Sequence, residues 1–159
     1  MIKMIFIGNP LWGDDGVGPY LLDLFSSRLG SGGNAKWQGL PAVILSGGTG
    51  GLNLLNFMDG ANQIFFFDAI NTQGKPGDVY KIPASALEDW PAQSSHDFGL
   101  EQVLRLYYEI EDHPLSPDNI WLYGVEIDRL DFGEGISEVV KKSCDALFES
   151  LIQEFEYPC

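Results

Sequence analysis

Residues 64–67, Ile-Phe-Phe-Phe, form an apolar run of strand length that ends on an acid, Asp68. A strand apolar at every position has both faces buried, so it belongs in the middle of a sheet covered on two sides. Such a sheet needs helices above and below it, and the chain must supply strand and helix in turn. It does so along most of its length. Residues 4–7 read as a first buried strand stopped by Gly8. Val17, Tyr20, Leu21, Leu24, Phe25 and Leu29 then recur at helical spacing, with Pro19 suited to the first turn. Residues 42–45 read as a second strand. The glycine-rich turn 46–51 leads into an expected helix over 52–58, with Thr49 as its candidate N-cap. Residues 78–82 alternate as an edge strand, and 83–95 read as a loop with room for one short helix. Leu100, Val103, Leu104, Tyr107 and Tyr108 mark a helix that ends before Pro114. Residues 120–125 give the last expected strand, and 136–155 a terminal helix with one apolar face.

The expectation is therefore a single domain over 1–159 of α/β class. It is a three-layer α/β/α sandwich around a twisted, mostly parallel sheet of about five strands. In such folds the site lies beyond the carboxyl ends of the strands, which directs attention to the residues just after each one.

Composition limits the partners. The chain has 23 acidic and 9 basic residues, for a formal charge of -14. Nucleic acid and anionic membrane surfaces both require clustered Lys and Arg, so neither is an expected partner. A cation or a basic patch on another protein is the natural complement. The apolar start, residues 1–7, is far shorter than the ~20 residues of a membrane helix and lacks a signal-peptide pattern. Two cysteines, Cys144 and Cys159, do not make a disulfide framework, and reduced thiols in the cytoplasm are expected.

After the first strand comes Gly8-Asn-Pro-Leu-Trp-Gly-Asp-Asp-Gly-Val-Gly18. A glycine-rich turn into a helix suggests a nucleotide loop, but the glycines do not fit G-x-G-x-x-G and no P-loop lysine is present. Asp14 and Asp15 occupy the place a phosphate would take. Two like charges about 4 Å apart repel by ~4 kcal/mol at an effective dielectric of about 20, so a pyrophosphate would be expelled unless a metal intervened. Being adjacent, the two acids cannot point the same way. Asp14 is assigned to capping or loop structure, and Asp15 to the site.

Asp68 at the end of a buried strand either bonds backbone N–H groups in a turn or serves a site. His96, in Ser94-Ser-His-Asp-Phe-Gly-Leu100, is placed compatibly with the same rim, whereas His113 in Glu-Asp-His-Pro reads as a surface residue. Asp15, Asp68 and His96 form an open set of two carboxylates and one imidazole. That set suits a borderline divalent ion such as nickel, zinc or manganese, with free positions for a partner's groups or water.

These segments resemble the hydrogenase maturation proteases, endopeptidases that remove the C-terminal extension of the large subunit of nickel–iron hydrogenases. Gly8–Gly18 is similar to the family's opening motif, with Asp15 at its first metal-contacting acid. Ser46-Gly-Gly-Thr49 resembles the Asp-Gly-Gly-Thr loop, Phe67-Asp-Ala69 the strand end carrying the second acid, and His96-Asp-Phe-Gly-Leu100 the His-x-x-Gly-Leu motif of the third ligand. The resemblance implies a hydrogenase large-subunit precursor as partner, and Asp15, Asp68 and His96 as catalytic and metal-contacting residues. It also implies nickel carried by the substrate, with zinc or cadmium able to occupy the site in vitro. Two departures stand out. Ser46 replaces the acid usual before Gly-Gly-Thr, and Ile127, in Gly124-Val-Glu-Ile-Asp128, stands where a proline is usual. Metal-polarised water and an Asp15–Asp68 carboxylate pair remain alternative mechanisms. A non-catalytic metal-checking chaperone and, more distantly, a nucleotide or flavin module remain alternative functions.

Overall fold

A computed structural model describes residues 1–30, 34–90 and 99–156. In chain order it contains β1 (Ile2–Phe6), α1 (Val17–Leu29), β2 (Lys36–Trp37), β3 (Leu40–Ser46), β4 (Gln63–Ile70) and β5 (Val79–Pro83). α2 (Leu100–Ile110), β6 (Ile120–Glu126), α3 (Glu138–Ile152) and β7 (Phe155–Glu156) follow. The strands lie in the order β5-β6-β4-β1-β3-β2-β7. The four central ones, β6, β4, β1 and β3, are parallel, β5 runs antiparallel to β6, and β2 is antiparallel to β3 and β7.

Alternation along the strands separates two cores. Met4, Phe6, Phe65 and Phe67 point to the layer of α1 and α3, where they meet Leu21, Phe25 and Phe148. Ile5, Ile64, Phe66 and Ile70 point to the opposite layer, where α2 supplies Val103, Leu104 and Tyr107. The apolar run 64–67 is thus buried on both faces, as its composition requires. Aromatic contacts lock the first core: Phe6 stacks on Phe67 at 4.5 Å between ring centroids, and Phe25 meets Phe148 edge-on at 4.9 Å.

The three-layer α/β/α class and the mostly parallel sheet agree with the sequence expectation, but the sheet has seven strands rather than about five. The additional pairings come from β2 and β7, each two residues long and too short to show a period. Phe155 leaves the expected terminal helix to pair with Trp37 in this edge, because α3 closes at Ile152. The expected helix over 52–58 is a 3-10 helix, Gly51–Phe57, entered from Gly50 at φ 83° with no side-chain cap, so Thr49 does not cap it. No helix among the described residues is long and apolar enough to cross a membrane.

The topology creates one crevice. From β1 the chain passes through α1 to β3 on one side, then returns over the opposite face to β4 on the other side of β1. The adjacent strands β1 and β4 thus send their connections in opposite directions, which defines a switch point at their carboxyl ends.

Candidate functional site

Register places Asp68 beside this switch point. β1 ends with Phe6 level with Phe67, and the Ile7 N–H continues the ladder to the Phe67 carbonyl at 2.9 Å. β4 does not stop there. It runs on to Ile70, paired with β6. Asp68 is therefore inside the strand rather than after it, a correction to the sequence reading. It emerges at the crevice because its neighbour β1, not its own strand, comes to an end. The parity of β4 puts Asp68 on the face that holds Ile64, Phe66 and Ile70, beneath the layer of α2. Its carboxylate accepts the Ala69 N–H at 2.8 Å.

Asp15 follows the end of β1. It lies in a 3-10 turn, Gly13–Gly16, between β1 and α1, and this turn packs against β4. The carboxylate accepts the Asn9 N–H at 2.9 Å, and its own N–H donates to the Trp12 carbonyl at 3.0 Å. Asp15 and Asp68 are both 4% exposed, and both make further interactions beyond these bonds. Burying a carboxylate carries a high desolvation cost, which hydrogen bonds of this kind offset.

The glycines of the opening segment serve close packing rather than phosphate binding. A Cβ on Gly8 would sit 2.0 Å from the Asp15 carbonyl oxygen, and one on Gly18 would sit 1.9 Å from that of Ile7. Only glycine at both positions lets the turn fold back against the end of β1 and hold Asp15 there.

Asp14 does different work. Fully buried, it accepts four hydrogen bonds from one distant stretch of chain. The Asp128 and Arg129 N–H groups reach Oδ2 at 2.8 and 2.9 Å, the Ser137 N–H reaches Oδ1 at 2.6 Å, and the Ser137 hydroxyl donates to Oδ2 at 2.9 Å. In return the Asp14 N–H donates to the Arg129 carbonyl. Asp14 caps neither the 3-10 turn nor α1; of the two roles open to it, loop structure is the one observed.

A second structural carboxylate, Glu126, was given no role by the sequence reading. It is 1% exposed and accepts the Thr72 N–H, the Thr72 hydroxyl and the Gly74 N–H at 2.7–3.0 Å, which fixes the turn after β4. The sequence showed an acid ending a buried strand, but its partners in the turn at 72–74 lie more than fifty residues away and only the fold brings them together. Ser46 is exposed, and its hydroxyl accepts the Gly48 N–H within its own loop. Ile127 donates its N–H to the Ile70 carbonyl at 3.0 Å, extending the β4–β6 pairing by a bond a proline could not make. His113 is exposed, as expected of a surface residue. Cys144 is a free, buried thiol held up to about 12 by burial, then by the nearby Asp145 and Asp14.

His96 and Cys159 lie outside the described residues. Among the described residues no group of three His, Cys, Asp or Glu side chains is placed to hold a metal ion. Asp15 follows β1 and Asp68 lies in the adjacent strand β4, while His96, the third expected ligand, precedes α2 in the sequence.

The fold defines an α/β protein of the doubly wound kind, with buried acids near its switch point. Comparison with known proteins gives the class a family. The hydrogenase maturation protease family matches residues 35–154, and the chain belongs to it. It is 29% identical over 154 residues to the hydrogenase expression/formation protein HoxM of Cupriavidus necator, covering 94% of this chain and 71% of that protein. It is 25% identical to HupD of Thiocapsa roseopersicina, over 96% of this chain and 66% of the relative. Among solved structures, the hydrogenase maturating endopeptidase HybD from E. coli shares the fold with a TM-score of 0.75 at 19% identity, over 96% of this chain and 90% of that one. The [NiFe] hydrogenase maturation protease HybD from Thermococcus kodakarensis gives 0.71 at 22% identity, over 96% and 97%.

Proposed function

We propose that this protein is an endopeptidase that removes the C-terminal extension of a nickel-loaded hydrogenase large-subunit precursor, and that it acts only after reading the nickel. The observation that carries this reading is the burial of Asp15, just after β1, and of Asp68, in the adjacent strand β4, in a chain of the hydrogenase maturation protease family. His96 completes the set as the third ligand. It stands in the segment leading to α2, and Asp68 faces the α2 layer.

The nickel is part of the substrate in this reading. Two carboxylates and an imidazole suit its borderline character, and zinc or cadmium would fit the same donors in vitro. Gripping the metal through Asp15, Asp68 and His96 fixes the nearby peptide bond against the rim, and proximity then lowers the barrier. Water would attack the peptide carbonyl while one of the two carboxylates takes its proton and passes it to the departing amine as the C–N bond breaks, and the substrate's nickel would polarise that water or carbonyl. A precursor that lacks nickel has no anchor and is left uncut. The cytoplasm, where Cys144 stays a thiol, is the compartment assigned.

The test is incubation of the purified chain with a large-subunit precursor, with and without nickel, read by intact mass. Loss of the extension from the nickel-loaded form alone is expected. An unchanged mass for the loaded precursor overturns the endopeptidase assignment and favours a metal-checking chaperone. Full processing by His96→Ala overturns the metal-reading role.

A further inference from the structure

Two loops far apart in the sequence meet beside Asp15 and hold large apolar side chains in solvent. Leu11 is 56% exposed, Trp12 47%, Leu130 37% and Phe132 67%. Their exposure does not come from a loose loop, because both segments are fixed. Trp12 and Phe132 form an antiparallel bridge, the Gly133 N–H donates to the Leu11 carbonyl at 2.8 Å, and the two rings meet edge-on at 5.1 Å. Beneath them the Asp14 carboxylate ties the turn of Asp15 to Asp128, Arg129 and Ser137. A rigid, exposed aromatic pair beside a site marks an interaction surface, since ordering it costs nothing further on binding.

We propose that Leu11, Trp12, Leu130 and Phe132 form the platform on which the precursor docks, through a segment carrying apolar side chains flanked by basic ones. This rests on the function proposed above and adds how the substrate is held. Charge decides the occupant. The platform loop exposes Asp128, Asp131 and Glu134 against one cation, Arg129, which already lies 3.9 Å from Glu134. The whole chain carries a formal charge of -14, so a second copy is repelled and a cationic segment is attracted. The Trp12 carbonyl accepts the Asp15 N–H, so a segment seated on the platform is led directly to the rim.

The experiment measures binding of the nickel-loaded precursor to the intact chain by biolayer interferometry, with cleavage followed separately by mass. Trp12→Ser with Phe132→Ser should weaken binding by about tenfold or more. Ile110→Ser, an equally exposed residue at the end of α2, should leave it unchanged. Should the double variant lose its fold by circular dichroism, Phe132→Ser alone is used and should still weaken binding severalfold. Asp131→Lys with Glu134→Lys should slow association at low salt. Native-like affinity in the folded serine variants overturns the platform, and an unchanged association rate in the lysine variant overturns its cationic occupant. Binding that depends on the platform without any cleavage supports the platform and overturns the endopeptidase reading. A native chain that binds no loaded precursor overturns both.

Discussion

Asp14 and Asp15 are consecutive, equally buried and chemically identical, yet the fold gives them opposite surroundings. Asp14 is enclosed by four donors from residues 128–137 and joins two loops. Asp15, which makes further contacts as well, accepts the Asn9 N–H and donates its own N–H to the Trp12 carbonyl within its own loop. The difference shows that a buried carboxylate is defined by the donors that reach it. One whose acceptor sites are filled by backbone N–H groups and a hydroxyl is structural. One near a switch point lies where ligands bind in folds of this kind.

The contrast breaks most readily at the rim. Asp15→Asn, and separately Asp68→Asn, should lower precursor cleavage by about 100-fold or more. Their thermal midpoints should stay close to the native value, as calorimetry would show. A large loss of stability in Asp15→Asn would erase the distinction from Asp14.

Asp14→Ala should act in the reverse sense. It strands the N–H groups of Asp128, Arg129 and Ser137, at a cost of about 3 kcal/mol or more in urea unfolding. Ser137→Ala sharpens the comparison, because it removes only the hydroxyl arm and keeps the three N–H bonds. Its cost should be about 1 kcal/mol. Equal losses from the two changes would mean that the network does not work as a set of separate bonds.

The smallest effect concerns Cys144, which packs in the core between α3 and the sheet, near Asp14. Burial raises its thiol from 9.0 to about 12 in the folded state. A raised folded value means that this contribution to stability is complete below pH 9.0 and is lost as pH climbs toward about 12. At pH 8 iodoacetamide should leave Cys144 unmodified in the native protein and alkylate it in urea. Rapid alkylation of the native form would show that this core opens.

Much of the fold was legible because burial leaves a mark on each residue in turn. The run 64–67 announced a strand covered on both faces, and the apolar spacing of α1 and α2 announced the helices that cover it. What failed to show were features with too few residues to carry a period. β2 and β7 are two residues each, and Phe155 belongs to the sheet rather than to the helix whose spacing it continues. Asp68 looked like a residue after a strand because polar side chains usually end apolar runs. The sequence of β4 alone could not reveal that β1 stops first.

The chain's own order of residues decided the α/β class, the glycines at 8 and 18 that allow a tight first turn, and the acids and imidazole that mark a family. Those are properties of single residues and their near neighbours, for which periodicity and side-chain chemistry suffice. The division of labour between Asp14 and Asp15 was decided only by tertiary structure, as were the anchoring of Glu126 and the exposed Trp12–Phe132 pair. Each depends on donors or rings supplied from a remote part of the chain, and only the packed fold brings those partners within hydrogen-bonding or ring-contact distance.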